Sequence, residues 1–327
     1  MHLCFRRGLV SDDTEHGVLT LQAFVAAQGD VARFENELAK GLKKWFCLLP
    51  PGTGMATAKS CIKLLAGIAP ARAGVFSASN GPAMRAPILG VLAANESQLQ
   101  QLVRVCTQIT HTDPKAEIGA LAIAFAARCA STASYVSPQD FFNPLQHFLT
   151  QENRPENYSI RKTEFLELME KVATSLESAQ STPDFALSLG LHNGVSGYIY
   201  HTVPVCLHAW LSHQNSHQNS HHNSHQNDFS AAIIDVLRCG GDADSTAAIV
   251  GGIVGAQVGE NRIPTEWRDK IIEWPRTVSW MQNIAHAASE NQEIKAPLWF
   301  APATFARNIG LLIVVIFHGF RRLLPPY

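Results

Sequence analysis

The sequence predicts an all-α protein, a compact single-domain orthogonal bundle of roughly a dozen or more helices. Three observations carry that expectation. Strict two-residue alternation of apolar and polar side chains is scarce along the 327 residues. Ala and Leu dominate, while Val and Thr do not gather in the short runs that strands favour. Apolar positions instead recur at helical spacing from one end of the chain to the other.

Asp12-Asp13-Thr14-Glu15 opens the first helical pattern, carried by Val18, Leu19, Leu21, Phe24 and Val25. Asp12 and Glu15 have the spacing of a capping arrangement. Val31 to Leu49 is the second pattern, and Met55 to Leu65 is entered through the turn signal Pro50-Pro51-Gly52-Thr53-Gly54. Ser79-Asn80-Gly81 cannot be helix interior, so Pro82 to Ala93 begins after it. Leu99 to Ile109 is next, then Pro114 to Ala130, where proline suits a first helical position. Phe141 to Leu149 and Phe165 to Leu176 flank a polar connection, Gln151 to Ser159. His192-Asn193-Gly194-Val195-Ser196-Gly197 reads as a loop, and Tyr198 to Leu211 follows it, interrupted by Pro204. Phe229 to Leu237 leads into Gly240-Gly241-Asp242-Ala243-Asp244-Ser245-Thr246. Ser245 to Val258 is helical despite Gly251, Gly255 and Gly259, whose spacing bares one face for close approach of another backbone. Thr265 to Glu273, Arg276 to Ala288 and Phe305 to Leu324 complete the set.

One segment stands apart. Ser212 to Asn227 is four tandem copies of Ser-His-Gln/His-Asn. It is read as a polar surface loop inserted in the single domain 1–327. Its histidines give a weak expected affinity for Ni²⁺ or Zn²⁺.

Hydrophobic residues make up 46% and charged residues 16%, enough to build a sizeable core. The formal net charge of −1 gives no general pull toward nucleic acid or anionic lipid. Seven cysteines, an odd number without a Cys-x-x-Cys pair, suggest buried free thiols in a reducing compartment. Met1 to Val10 lacks the apolar stretch of a signal peptide. Ile309 to Phe317 is too short to span a bilayer and is read as a buried helix. The expectation is a cytoplasmic protein.

Two short acidic stretches carry the chemistry: Ser11-Asp12-Asp13-Thr14 and Gly240 to Thr246. Each places two carboxylates and a hydroxyl within a few residues, ahead of an apolar helical run. Hard cations take such oxygen ligands. A single acidic pair at a helix start also serves as a cap and complements the helix dipole. Asp242-x-Asp244, behind two glycines, offers more carboxylates than one helix start uses.

Four stretches together resemble the ADP-ribosylglycohydrolase family. Ser11-Asp12-Asp13-Thr14-Glu15 is similar to its first acidic motif, and Ser79-Asn80-Gly81-Pro82-Ala83-Met84-Arg85 to its Asn-Gly-x-x-Met-Arg motif. Thr110-His111-x-Asp113-Pro114 resembles its Thr-His motif, and Gly240-Gly241-Asp242-Ala243-Asp244-Ser245 its Gly-Gly-Asp-x-Asp-(Thr/Ser) motif. The resemblance implies an all-α fold with two Mg²⁺ ions in a central cleft, Mn²⁺ being the alternative ion. By the same resemblance Ser11, Asp12, Asp13, Asp242, Asp244 and Ser245 form the metal shell. Ser77, Ala78, Ser79, Asn80 and Gly81 contact ADP-ribose, with His111, Gly194 and Tyr198 around it. His111 has a second reading, a contact at a helix start. Arg85 is read as bracing the acidic site through an ion pair, and Met84 as core.

The implied reaction removes ADP-ribose from a modified protein side chain, with Asp12 or Asp13 as the base that activates water. ADP-ribose or an ADP-ribosylated protein is the expected partner, and a monomer the expected state. The family also opens with a small-residue helix bearing Gly-Asp-x-x-Gly and a metal-site glutamate shortly after it. Nothing between Met1 and Ser11 matches that segment, and Glu15 is not a substitute by position. The alternative to a hydrolase is therefore an ADP-ribose-binding or structural homologue, impaired because that segment is missing.

Overall fold

A computed structural model describes residues 7–150, 155–214, 227–290, 292 and 297–321. Sixteen α-helices and no sheet occur among them, as the apolar spacing predicts. They are α1 (Asp12–Ala27), α2 (Val31–Cys47), α3 (Met55–Leu65), α4 (Pro70–Ala73), α5 (Ala86–Leu92) and α6 (Glu96–Gln108). Then come α7 (Pro114–Thr132), α8 (Pro138–Phe148), α9 (Glu156–Glu177), α10 (Thr182–Ser188) and α11 (Ile199–Ser212). The last are α12 (Asn227–Arg238), α13 (Ala243–Val258), α14 (Thr265–Asp269), α15 (Val278–Ser289) and α16 (Phe300–Arg321).

α7 is the axis of the fold. Ala116 to Ala127 are buried without a break. Small side chains on every face let α5, α6, α9, α11 and α13 all pack on this one helix. Asp113 caps it by accepting from Lys115 N, and Pro114 occupies the first turn. Phe125 stacks on Phe148 of α8 at 4.8 Å between ring centroids, and Trp210 of α11 meets Phe141 edge to face at 5.2 Å. Both arrangements suit the aromatic quadrupole.

A buried histidine ties α11 to its neighbours. His208 Nε2 lies 3.0 Å from Ser175 Oγ and Nδ1 lies 3.0 Å from Thr182 Oγ1, with the ring stacked on Phe185. Burial pulls its pKa from 6.5 down to about 4. The unfolded chain therefore binds the extra proton between those values, and stability present above pH 6.5 is lost as pH falls toward 4. Urea unfolding should show a loss of about 2 kcal/mol from this group between pH 7 and pH 5. His208→Gln should flatten that part of the pH dependence.

Several expectations need correction. α16 forms, but its apolar stretch is not buried: Ile313 is 62% exposed, and Leu312, Val314 and Ile316 are exposed too. The helix turns Thr304 and Asn308 inward instead, so its first half docks and the apolar turns that follow face outward. Glu15 does not reach back to cap α1. Ser11 occupies the cap position, and the Glu15 carboxylate accepts from Trp45 Nε1 at 2.6 Å. The Gly251 and Gly255 strip is covered by side chains, Ile233 and Phe229, rather than by a backbone. Pro204 lies within α11 without ending it. Thr265 to Glu273 is helical only to Asp269, because Ile271 pairs with Gly8 in an extended bridge. α4 and α10 are short helices that the apolar pattern did not show. Cys61, Cys106 and Cys206 are buried free thiols, whereas Cys47 is exposed. Residues 215–226 of the histidine repeat lie outside the described residues. No helix among the described residues is long and apolar enough to cross a membrane.

Candidate functional site

Two glycines fix the centre of the site. Gly194 and Gly241 have φ of 93° and 77°, a region that other residues adopt only under strain. A Cβ on Gly241 would lie 2.2 Å from Val195 O, and one on Gly194 would lie 2.4 Å from Gly241 N. Their loops can therefore run in backbone contact. Val195 N–H donates to Gly240 O at 3.1 Å, and Asp242 N–H donates to Val195 O at 2.7 Å. The same loop then meets the Asn-Gly segment, where Asn80 N–H donates to Gly197 O and Ile199 N–H to Ala78 O, both at 2.9 Å. That segment is held in turn by the Thr-His segment, through Val75 N–H to Thr110 O at 3.1 Å and Thr112 N–H to Val75 O at 2.9 Å. Three of the four sequence motifs and the 194–198 loop are thus joined edge to edge.

The acidic stretch at the start of α1 closes the site from the other side. One carboxylate oxygen each from Asp12, Asp13 and Asp244 lie within 4.8 Å of one another. Ser11 Oγ donates to Asp13 Oδ2 at 2.6 Å, and the Ser245 side chain stands close to both Asp13 and Asp242. Asp242 stands beside this trio: its Oδ2 accepts from Asn80 Nδ2 at 2.7 Å, and the Asp244 carboxylate lies next to it. Asn80 Nδ2 also donates to Thr202 Oγ1 at 3.1 Å, which fixes its amide.

Crowding of like charges shows in the acidities. Burial, then the neighbouring Asp13 carboxylate, pushes Asp12 from 3.8 up to about 7. Burial also raises Asp13 and Asp242, partly offset by Ser11 and Ser245 at the first and by Asn80 at the second. Asp13 Oδ1 is buried without a hydrogen-bond partner. A buried acceptor left bare is costly. Converging carboxylate and hydroxyl oxygens are the donor set of a hard divalent cation. The residues therefore fit a hard divalent cation, with Asp12, Asp13 and Asp244 foremost and Ser11, Asp242 and Ser245 beside them.

The expected ligand wall is assembled around the same point. Ser77, Ala78, Ser79 and Gly81 are half-buried, and Asn80 is buried. His111 is 1% exposed, with Nε2 2.6 Å from Ser79 Oγ and Nδ1 2.8 Å from Thr110 Oγ1. Burial, reinforced by Arg85, lowers its pKa to about 3, so it is a neutral ring that orients Ser79 from behind. Tyr198 is half-buried, and its hydroxyl accepts from Lys115 Nζ at 2.7 Å. Lys115 also pairs with Glu164 at 3.0 Å.

Arg85 is a correction. It is fully buried, but its donors go to Cys106 O at 3.1 Å and Thr110 Oγ1 at 2.8 Å rather than to the acidic cluster. The carbonyl at the end of α6 takes the charge that a carboxylate was expected to take. Met84 is half-buried: it packs against the main core and also lines an apolar cleft of about 560 Å³, which runs from Asp13 and Gly17 past Pro87 and Gly252 to Met281. Sequence reasoning missed Thr202, Lys115 and Gly52, whose Cβ would come 3.2 Å from Asp12 Oδ1. Lys115, directly after Pro114 in the Thr-His stretch, and Gly52, inside the Pro50 to Gly54 turn, had a nearby signal, whereas Thr202 had none.

Known proteins resemble this chain in sequence and in fold. A sequence model of the ADP-ribosylglycohydrolases matches residues 2–296. An uncharacterized protein of Archaeoglobus fulgidus is 29% identical over 262 residues, 79% of this chain and 73% of that protein. The human ADP-ribosylhydrolase ARH3 is 25% identical over 233 residues, and the match spans 66% of this chain but only 60% of that relative. The solved structure of an ADP-ribosylglycohydrolase-related protein complex superposes with a TM-score of 0.56 at 21% identity, covering 87% of this chain and 82% of that one. With the family match across nearly the whole chain and the motif loops joined around one carboxylate cluster, the chain belongs to the ADP-ribosylglycohydrolase family.

Proposed function

We propose that the protein hydrolyses the glycosidic bond between ADP-ribose and a modified protein side chain, in a reaction dependent on Mg²⁺ or Mn²⁺. The observation that carries this reading is the convergence of Asp12, Asp13 and Asp244 on one point, with Asp13 Oδ1 left bare, beside the Asn-Gly loop. Cleavage passes through an oxocarbenium-like state at the ribose carbon. A water oxygen bonds to that carbon as the bond to the side chain breaks; one water proton goes to a base, and the departing side-chain atom takes the bonding pair and a proton from solvent. Asp12, at the start of α1 beside Asp13 and Asp244, is placed for that role. A bound divalent cation would orient the ribose hydroxyls and acidify water. Ser77, Ser79 and Gly81 supply the hydroxyl and backbone groups that suit phosphate oxygens. Tyr198, fixed by Lys115, closes the wall beside them.

The test is release of free ADP-ribose from a mixed pool of ADP-ribosylated proteins, with Mg²⁺ and then with a chelator. Release with Mg²⁺ that stops on chelation is the expected result. A folded sample that binds ADP-ribose and releases none would replace the hydrolase with a binding protein.

A further inference from the structure

The residue before the first acidic motif is gripped at both ends of its peptide unit. Val10 N–H donates to Glu273 Oε2 at 3.1 Å, and Val10 O accepts from Arg307 NH2 at 3.2 Å. The two gripping side chains are themselves paired, Arg307 NH2 to Glu273 Oε2 at 2.7 Å. Arg307 NH1 lies 3.6 Å from Glu15 Oε1, one helical turn beyond Asp12, and donates to Asn308 Oδ1 at 2.9 Å. Asn308 Nδ2 donates to Leu48 O at 2.9 Å. The Arg307 side chain is 7% exposed, that of Glu15 6% and that of Glu273 3%. A buried pair with several hydrogen bonds is geometrically specific, and breaking it from one side leaves an uncompensated charge. Trp45 Nε1 also holds Glu15, and the buried Arg276 guanidinium stands near both Glu15 and Glu273.

Two features point beyond simple packing. The grip closes on residues 10 and 15, which bracket Ser11, Asp12 and Asp13. Arg307 and Asn308 also come from α16, which begins at Phe300, after the family match ends at residue 296. The chain thus supports its first acidic motif with a helix that lies outside the family match.

We infer that Arg307, acting with Glu273, is a positioning residue that sets the Asp12 and Asp13 carboxylates for a divalent cation; the inference rests on the metal site proposed above. The groups do not reach the cation position themselves. They fix the backbone at residue 10 and the first turn of α1. Side chains that orient metal ligands from behind commonly change affinity by about 10–100-fold when replaced.

The test titrates the whole protein with Mn²⁺ alone and follows free Mn²⁺ by electron paramagnetic resonance. Arg307→Gln should weaken Mn²⁺ binding by about tenfold or more. Glu273→Gln keeps an oxygen for the Val10 N–H but not the charge for Arg307, and should give a smaller loss. Leu145→Ala, at a fully buried site on α8, serves as a control that lowers the melting temperature without touching the grip. A purely structural role predicts the same Mn²⁺ affinity in the control and in whichever Arg307 or Glu273 variant folds, and that result overturns the inference. Should Arg307→Gln fail to fold, Glu273→Gln decides by the same criterion. Wild-type protein that binds no Mn²⁺ overturns the metal site and the inference with it, an outcome distinct from binding that the substitutions leave unchanged.

Discussion

Asp12→Asn is expected to lower ADP-ribose release by about 10²–10⁴-fold, the usual contribution of a positioned general base. The substitution keeps shape and one oxygen but removes the basic site. Asp12 is a carboxyl of the converging trio, at the start of α1 beside Asp13 and Asp244. ADP-ribose binding should survive, because Ser77 to Gly81, Gly194 and Tyr198 are untouched. The assay is single-turnover release at saturating Mg²⁺, paired with calorimetric titration of free ADP-ribose. Turnover within threefold of wild type would remove Asp12 as the base and shift the role to Asp13.

Gly241→Ala should both unfold more easily and lose the site. Left-handed backbone strain at a residue with a Cβ is roughly 1–3 kcal/mol, and overpacking adds about 1–3 kcal/mol more. Here the overlap is with backbone, 2.2 Å from Val195 O and 2.5 Å from Val195 N, so no side chain can swing aside. Relief requires the 194–198 and 240–242 loops to separate. That would break the Asp242 N–H to Val195 O bond and displace Asp242 and Asp244 together. Urea unfolding should report a loss of roughly 2–6 kcal/mol. A stability change below about 0.5 kcal/mol, the usual range of a surface change, would show that the backbone contact is not needed.

Much of the fold was legible because helices announce themselves locally. The spacing of Val18, Leu19, Leu21 and Phe24 or of Phe165, Leu168 and Val172 needs no knowledge of a partner. Helix ends were less legible: α9 begins at Glu156, where the apolar pattern starts at Phe165, since its first turns are polar and mostly exposed. The exposure of α16 was not legible, because an apolar run states what a segment would bury and not what lies beside it. At the site, the adjacent carboxylates of each motif could be read, and so could the need for glycine at Gly240 and Gly241. The contact between Asn80 and Asp242 could not, for 162 positions separate them. Nothing in the sequence around Arg307 distinguishes it from a surface arginine at the start of an apolar helix.

That separation also bears on the order in which the molecule forms. Several bonds at and behind the site join distant residues, 122 positions apart for Asn80–Thr202 and 263 for Val10–Glu273. Contacts so distant along the chain are slow to form, whereas α1, α7 and α13 can begin as local structure. No single segment carries enough of the cluster to hold a cation while the rest is still unfolded. A cation bound by Asp12, Asp13 and Asp244 would thus register the completed native topology, retarding unfolding while leaving the rate of folding almost untouched.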